Sequence, residues 1–462
     1  MERQVNTLDR TPVDQAYAGV GKVAYDPIVL LKMTLYQLLL GNHSPTTWHA
    51  EAARNSTMKW LGRGYRPARS VWYDFRDRVS KFIDQLHHQS TNSAIDQGHL
   101  APGTGALDGS SVAACASRHR MVNSATLQKR KAILQRLADG EELKSSEIPR
   151  WVPATLRGRS NLLDRMHRAE EVLQQRLQEN KARRSDRRKH PDKVVVSLSD
   201  PDAPLGLDKR KTYRPLYTVQ KMVDPVSHLT ISYTCEAAAG DAGMLAPMID
   251  KTQQIVGGRL KKVLADGGYC SILDVKDSID RQVELFAPVS ASGTTRQNKS
   301  RSGEPQLPRE QFQFKPESNH YVCPRGEILR YKDREKRKRN GGRRLYEYRY
   351  QCDTSICNAC PLVEQCLSGK GGRMIRRSEG EELLEAQREK MQTDSAKQLY
   401  ALRGQSVELV FADDKGNRRH DRFHGRGLAR VRAETGLITL ARNLFRLDKL
   451  QQSAKNSTKA TP

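Results

Sequence analysis

Residues 262–269 read Lys-Val-Leu-Ala-Asp-Gly-Gly-Tyr, an apolar run followed by an aspartate and two glycines. The first four residues predict a short buried strand, and the two glycines after Asp266 allow the backbone to turn tightly. Residues 106–109, Ala-Leu-Asp-Gly, repeat this pattern with Asp108. We therefore predict two strands that each end at an aspartate.

Strand and helix patterns surround these two segments. Strands are predicted at 194–198, 216–223, 229–235 and 283–286, and helices at 242–256 and 271–281. A turn at Asp224-Pro225 joins the second and third of these strands into an antiparallel meander. Because strands and helices alternate after residue 240, we predict an α+β or α/β core with helices packed on a mixed sheet.

The region before residue 100 is predicted to be all-helical. Asp26 and Pro27 supply an N-cap and a first-turn proline for an apolar helix through Leu40. Ser70 is predicted to cap a second helix, whose apolar stripe is Val71, Phe75, Val79, Phe82 and Leu86. Basic residues fall mostly off that stripe, which fits a DNA-binding module, and a helical packing domain without DNA contact is the alternative.

Long-range organisation follows from changes in composition along the chain. An amphipathic helix is predicted at 160–184, with Leu162, Met166, Ala169, Leu173 and Leu177 on one face and a basic run at 181–193 after it. That run either follows a DNA backbone or is simply a solvated helix end. The predicted domains are a helical DNA-binding domain at 1–100, a first part of the core at 101–289 with a basic arm at 117–193, a cysteine-containing basic insertion at 290–377, a second part of the core at 378–450 and a disordered tail at 451–462.

Charge restricts the class of partner. The 462 residues carry a formal charge of +26, from 79 Lys and Arg against 53 Asp and Glu. Such an excess favours a polyanion, because basic side chains displace the counterions condensed on phosphates. With 37% hydrophobic residues, the chain reads as a folded enzyme or regulator of nucleic acid. No apolar run is long enough to span a bilayer, and a cytoplasmic, nucleoid-associated protein is expected.

Five of the eight cysteines lie within 44 residues, at positions 323, 352, 357, 360 and 366. In a reducing compartment such a cluster favours metal over disulfides. Cys323, Cys357, Cys360 and Cys366 offer four thiolates at zinc-like spacings, with Cys352 as a substitute. Reduced cysteines without a metal are the alternative.

Ordered motifs across nearly the whole chain resemble the DDE transposases of bacterial insertion sequences. The segment 25–32 resembles their N-terminal domain, and further similar pieces are 106–109, 199–202, 240–243 and 265–269. Tyr400, Arg403, Glu408 and Lys415 are similar to the family's tyrosine-arginine-glutamate-lysine signature. Four residues separate Arg403 from Glu408, where the broader signature has three. Pieces of 423–444 are also similar.

The resemblance implies an RNase H-like core in which Asp108, Asp266 and Glu408 are catalytic and hold two Mg²⁺ or Mn²⁺ ions. Tyr400, Arg403 and Lys415 are then expected to contact DNA. Water attacks at the element's ends, and the freed 3′ hydroxyl attacks target DNA. The expected partner is double-stranded DNA, both element ends and target, bound by a homo-oligomer. No phosphate-binding loop motif is present, so no ATP requirement is expected.

Alternatives accompany each of these assignments. Among 53 acidic residues, pattern alone favours an ordinary strand-end turn for either aspartate. Glu434 is the competitor for the third acid, although an arginine pair is the preferred interpretation there. Asp200 and Asp202 fit a capped turn better than a supporting role beside the metals. At the level of function, the rivals are a catalytically inactive DNA-binding repressor and an RNase H-like nuclease without strand transfer.

Overall fold

The computed structural model describes residues 2–17, 25–141, 148–183, 185–208, 211–238, 240–289, 299–338 and 342–459. It contains two compact units. Unit 1 comprises residues 1–241, 247–264 and 401–462, and unit 2 comprises residues 242–246 and 265–400. The chain therefore leaves unit 1 and later returns to it.

The N-terminal part of unit 1 is helical, as predicted. Its helices are α1 (Glu2–Asn6), α2 (Thr11–Tyr17), α3 (Pro27–Leu39), α4 (Pro45–Arg54), α5 (Ser56–Leu61), α6 (Arg69–Arg78) and α7 (Ile83–Asp96). The Asp26 carboxylate accepts a hydrogen bond of 3.0 Å from the Ile28 amide, and Pro27 occupies the first turn of α3. Both features of the predicted helix at 26–40 are confirmed.

The second predicted helix differs in detail. Helix α6 begins at Arg69 with Ala68 at the N-cap, so Ser70 lies inside the helix and does not cap it. A short 3₁₀ helix, Val79–Lys81, separates α6 from α7. The apolar stripe still packs into one core, because each of its residues is buried in the cluster or lies against it.

Unit 1 also contains the main sheet. Its strands are β1 (Thr104–Ala113), β2 (Met121–Val122), β3 (Val196–Ser197), β4 (Leu205–Leu207), β5 (Tyr213–Val223), β6 (Thr230–Glu236) and β7 (Lys262–Leu264). Strands β1, β5 and β6 form an antiparallel meander, and β7 runs parallel to β1 with Leu264 opposite Ala106. β4 pairs with the start of β5, while β2 and β3 form a separate ribbon. This mixed sheet with flanking helices confirms the predicted α+β, RNase H-like fold.

One strand boundary corrects the prediction. Asp108 does not end β1, because the ladder with β5 continues for five more residues to Ala113, opposite Leu216. The buried positions Ser110 and Val112 preserve the alternation of a half-buried strand beyond the aspartate. Asp108 therefore lies in mid-strand, opposite Lys221.

The basic arm forms its own small core within unit 1. Helices α8 (Ser124–Ala138) and α9 (Leu156–Lys181) pack together, and the predicted stripe on α9 is confirmed. Leu162, Met166, Ala169 and Leu173 are buried, and Leu177 packs against them. Helix α10 (Leu245–Val256) lies against β6, where the hydroxyls of Ser232 and Thr252 are 2.6 Å apart.

Unit 2 contains the predicted insertion, which is a folded antiparallel sheet. Its elements are α11 (Ile272–Asp280), β8 (Glu284–Phe286), β9 (Gln313–Lys315), β10 (His320–Val322), β11 (Ile328–Lys338), β12 (Arg344–Gln351), α12 (Thr354–Asn358), α13 (Val363–Cys366), β13 (Met374–Ser378) and α14 (Glu381–Gln392). Strands β9 to β13 pair in sequential order. Much of the basic block at 330–344 is strand β11, in which most residues are exposed to solvent.

Helix α15 (Asp394–Gly404) leads back into unit 1, where α16 (Val407–Gly416) and α17 (Leu428–Lys459) follow. Six apolar residues of α17 between 433 and 444 belong to the same buried cluster as α3, α6 and α7. The predicted disordered tail differs from the structure over 451–459, where α17 continues as a helix. Gln, Ala and Lys extend a helix that is already packed, and Gln451 accepts a 2.7 Å hydrogen bond from Gln4. Residues 460–462 lie outside the described part.

Candidate active site

One guanidinium group links two of the predicted catalytic carboxylates. Arg403 Nη2 lies 3.0 Å from Asp108 Oδ1, and Nη1 donates to Glu408 Oε1 at 2.7 Å. Arg403 is itself buried, whereas the Glu408 side chain is 55% exposed. The fold of unit 1 thus brings Asp108 and Glu408 together, and we call these two residues with Arg403 the carboxylate bridge.

The unusual spacing before Glu408 has a structural explanation. Arg403 is in the last turn of α15, Glu408 is in the first turn of α16, and residues 405–406 interrupt the helix between them. Ser406 leaves helical geometry at φ −120° and ψ −84°. The extra residue is therefore absorbed in a break, and the two side chains meet across it.

Helix α16 is fixed to the sheet by two lysines. Lys221 Nζ on β5 donates to Asp414 Oδ2 at 2.6 Å, and both side chains are almost fully buried. Lys415 Nζ donates to the carbonyl oxygen of Ser111 on β1 at 2.8 Å. Glu408 and Lys415 lie on the same helix, so these bonds also set the position of Glu408.

A further carboxylate lies next to Gly109. The Gln220 side chain donates to Asp241 Oδ1 at 2.6 Å, and a Cβ placed on Gly109 would lie 2.0 Å from that oxygen. No residue with a side chain fits there without displacing Asp241, which is why glycine follows Asp108. The turn originally expected at this point does not form, since Gly109 lies within β1.

Asp266 and Tyr400 belong to unit 2. Asp266 follows β7 as predicted, and its carboxylate accepts a 2.8 Å hydrogen bond from the Gly268 amide, which caps a short 3₁₀ helix at Gly267–Tyr269. It is partly exposed. Tyr400 is half-buried on α15, three residues before Arg403.

Asp200 and Asp202 have structural partners. Asp200 is fully buried and accepts hydrogen bonds from the Tyr217 hydroxyl at 2.8 Å and the Gly427 amide at 3.1 Å. Asp202 accepts from the Leu428 amide at 3.0 Å. Both carboxylates thus bind the start of α17, whereas the preferred interpretation from the sequence was a capped turn within 199–202.

Glu434 also binds backbone groups. Its carboxylate accepts hydrogen bonds from the amides of His424 and Gly425 at 2.9–3.1 Å, in place of the arginine pair expected from the sequence. Burial raises the pKa of Glu434 to about 7. Its role is to fix the loop before α17.

The cysteine cluster lies entirely in unit 2. All five cysteines line one small cavity of about 30 Å³. The sulfurs of Cys323, Cys357 and Cys360 accept backbone N–H bonds of 3.3–3.4 Å from Arg325, Arg373 and Leu362, respectively. Cys352 differs from the other four because it is buried in the apolar core of the sheet.

Side chains alone do not form a closed metal cage. Within the described ranges, no group of three or more His, Cys, Asp or Glu side chains is arranged to hold a metal ion. The same ranges contain no helix both long and apolar enough to cross a membrane.

Comparison with known sequences adds the family. Residues 322–448 match the family described as a transposase DDE domain. This match supports the resemblance to DDE transposases. The matched segment contains Arg403, Glu408, Lys415 and all five clustered cysteines, whereas Asp108 and Asp266 precede it. No curated protein and no solved structure matches the chain significantly.

Three residues around the carboxylate bridge were not predicted from the sequence. Lys221 and Asp414 form the buried pair that holds α16, and Asp241 lies beside Gly109. A lysine inside the apolar strand 216–223 was the available signal, because an isolated charge in such a strand requires a buried partner. Asp241 carried no signal beyond its place in the family resemblance.

Proposed function

We propose that this protein is a DDE transposase that binds the ends of an insertion sequence and catalyses metal-dependent DNA cleavage and strand transfer. The observation that carries the proposal is the carboxylate bridge, in which Asp108 and Glu408 reach one guanidinium from distant parts of the sequence. Two carboxylates held by one guanidinium suit a site that exchanges this cation for metal. Asp266 is proposed as the third carboxylate.

The donor set fits Mg²⁺ or Mn²⁺. Carboxylate oxygens are the ligands that these hard cations prefer, and Glu408 is accessible to solvent. Asp108, Glu408 and Asp266 would hold two ions, which when bound supply the positive charge that a scissile phosphate requires.

The basic side chains near the bridge have separate roles in this proposal. Arg403 keeps Asp108 and Glu408 close while no other cation is present, because their like charges would otherwise repel. Once displaced, its guanidinium is suited to a DNA phosphate, which it can bind through two N–H groups. Lys415, held at the Ser111 carbonyl, and Tyr400 are proposed to contact the DNA strand.

Specific DNA recognition is assigned to residues 1–100. The α5–α6 region exposes Trp60 and Tyr65, at 66% and 46%, among exposed basic residues that include Arg66 and Arg69. Exposed aromatic rings beside arginines are typical of nucleic-acid surfaces and unusual on a packing domain. We name residues 59–69 the basic-aromatic surface. Pairing of two element ends further implies a homo-oligomer on DNA.

A structural Zn²⁺ ion is proposed for the cysteine cavity. Cys323, Cys357, Cys360 and Cys366 are half-buried around it, and three cysteine sulfurs already accept backbone N–H groups, as thiolate ligands commonly do. These side chains would have to move to bring four sulfurs to bonding distance. The burial of Cys352 in the apolar core favours the other four as ligands.

The test uses full-length protein and duplexes that carry the DNA flanking the gene, including its inverted repeats. Wild-type protein with Mg²⁺ or Mn²⁺ should cut at the repeat ends and join the 3′ ends to target DNA. Asp108→Asn, Asp266→Asn and Glu408→Gln should each abolish both reactions and leave end binding nearly intact, because each keeps side-chain size and removes a charge that the metals need. Glu434→Gln is the matched control and should remain active.

The outcomes separate the rival functions. End binding without metal-dependent cutting by the wild-type protein would identify a repressor. Cutting without joining would identify a nuclease. Wild-type cutting and joining by Glu408→Gln would remove Glu408 from the site.

A further inference from the structure

Unit 1 contains a second basic site, separate from the carboxylate bridge. A cavity of about 470 Å³ lies where β1 ends, and its lining includes five arginines, Arg118, Arg120, Arg214, Arg422 and Arg426. None of the described residues that line it is acidic. We call this cavity the arginine pocket.

The fold assembles the pocket from separate segments. Residues 421–423 are bound beside the end of β1, since Ala113 N donates to Asp421 O at 3.0 Å and Phe423 N donates to Ala113 O at 2.8 Å. Arg426 Nε donates to the Cys115 carbonyl at 3.1 Å. Arg214 is held by Asp208 at 2.8 Å. Arg426 and Arg214 are thus each held through the Nε atom, and these two bonds do not use the terminal nitrogens of either guanidinium.

The chemistry of the lining selects the ligand. Asp208 already neutralises Arg214, and the other four guanidinium groups of the lining repel each other unless an anion lies among them. Guanidinium forks bind phosphate oxygens in pairs, and the hydroxyls of Ser117 and Ser199 add neutral hydrogen-bonding groups. An apolar ligand would find few partners here. The pocket therefore fits phosphate groups.

We propose that the arginine pocket binds the sugar-phosphate backbone of the bound duplex at a fixed distance from the reacting phosphate. This inference rests on the proposed function. Asp108 and Ala113 are five residues apart along β1, which is about 17 Å at the usual rise per strand residue. If the duplex runs along β1, a rise of about 3.4 Å per base pair places the contact at least roughly five base pairs from the site of cleavage.

The experiment compares two double variants of equal charge change in the full-length protein. Arg118→Gln/Arg422→Gln alters two exposed arginines of the pocket, and Arg157→Gln/Arg165→Gln alters two exposed arginines of α9 outside it. Affinity for an end duplex is measured by fluorescence anisotropy over a range of salt concentrations. The pocket variant should lower the slope of log affinity against log salt by about 0.9 for each lost phosphate contact, and the α9 variant should keep the wild-type slope.

Phosphate-ethylation interference locates the contact. In wild-type protein, ethylation roughly five base pairs from the cleavage site should weaken binding. That interference should disappear in Arg118→Gln/Arg422→Gln and return in Arg118→Lys/Arg422→Lys, which keeps the charges. Equal slopes and equal interference patterns in the wild-type and pocket variants would overturn the proposal.

Titration with inorganic phosphate and pyrophosphate distinguishes a small anion from DNA. Calorimetric binding of these ions that is lost in the pocket variant, combined with an unchanged DNA slope, would make the pocket a small-anion site and overturn the DNA assignment. Wild-type cutting and joining is measured first. If it fails while the pocket variant still loses its salt slope, the transposition proposal fails and the DNA contact stands.

Discussion

Lys221 on β5 and Asp414 on α16 form an ion pair in which Nζ and Oδ2 are 2.6 Å apart and both side chains are at most 3% exposed. Burial favours the neutral form of the lysine and lowers its pKa, while the nearby carboxylate opposes that shift. Lys221 is directly opposite Asp108 in the sheet, and Asp414 is on the helix that carries Glu408. The pair therefore ties the two sides of the candidate active site together.

Removal of one partner should destabilise the fold strongly. Lys221→Met leaves Asp414 buried without its cation, and we expect a loss of about 3–5 kcal/mol in the free energy of unfolding. Urea denaturation of the purified proteins measures this. The double variant Lys221→Met/Asp414→Leu should recover most of the loss, since neither side chain is then charged. A single variant as stable as the wild type would show that the pair contributes little.

Arg403 should compete with metal for the carboxylates. Arg403→Gln removes a positive charge beside Asp108 and Glu408, which is worth roughly 1 kcal/mol at 4 Å in water, or about a fivefold gain in Mn²⁺ affinity. Electron paramagnetic resonance titration of free Mn²⁺ measures the affinity. Arg403→Lys keeps the charge and should stay near the wild-type value. Identical affinities for the Gln and wild-type proteins would argue against competition.

Glu434 should make stability depend on pH. Its pKa in the folded chain is raised from 4.5 to about 7 by burial, so protonation favours the native state. The stabilisation is complete below pH 4.5 and is lost as the pH rises toward 7 and beyond, by about 3 kcal/mol at 1.36 kcal/mol per pKa unit. Thermal unfolding of wild type and Glu434→Gln across this range should show the variant gaining relative stability as pH rises. Glu171→Gln, at an exposed position, should run parallel to the wild type.

Purified protein should contain about one zinc ion per chain, measured by elemental analysis after removal of any affinity tag. Cys357→Ser and Cys360→Ser should each lose the metal, because three remaining thiolates hold zinc less well. Cys352→Ala is the control and should keep it, since that residue belongs to the apolar core. Soluble, active wild-type protein without zinc would show that the cluster serves packing alone.

The basic-aromatic surface should determine preference for element ends. Arg66→Gln/Arg69→Gln, both at exposed positions, should reduce the ratio of affinities for end DNA and unrelated DNA. Leu156→Ala/Arg157→Gln, at another exposed site, should leave that ratio unchanged. The full-length chain is used because the N-terminal helices share their core with α17. An unchanged ratio in the first variant would place specific recognition elsewhere.

The elements that the sequence predicted well have strong local signals. The structure contains the predicted N-cap and first-turn proline of α3 and the predicted apolar stripe on α9. Each of these features depends on residues that are close together in the sequence. The predicted end of β1 at Asp108 was wrong. Asp108-Gly109 resembles a turn in the local sequence, whereas pairing with β5 continues the strand past these two residues. The five-stranded sheet of unit 2 was missed for the same reason, since its polar, basic strands pair only in tertiary context.

Some residues of the candidate site could likewise be predicted from the sequence and others could not. Family resemblance pointed to Asp108, Glu408 and Arg403, and the structure brings these three together. The resemblance could not predict that Arg403 contacts both carboxylates. That contact depends on a break between α15 and α16, which the spacing of the residues alone does not reveal. Lys221 and Asp414 meet only through packing of a helix on a strand almost two hundred residues away in sequence.

Helix α17 lies in the core of the N-terminal helices, although more than 300 residues separate α7 from it. A ribosome that has made the first hundred residues has therefore produced helices whose apolar faces still lack a partner. Their packing can be completed only after residues near Leu444 have emerged. A fragment from an interrupted message would carry the basic-aromatic surface on an unfinished core. Complete translation is thus a precondition for a stable N-terminal helical region, which carries the surface proposed to recognise DNA.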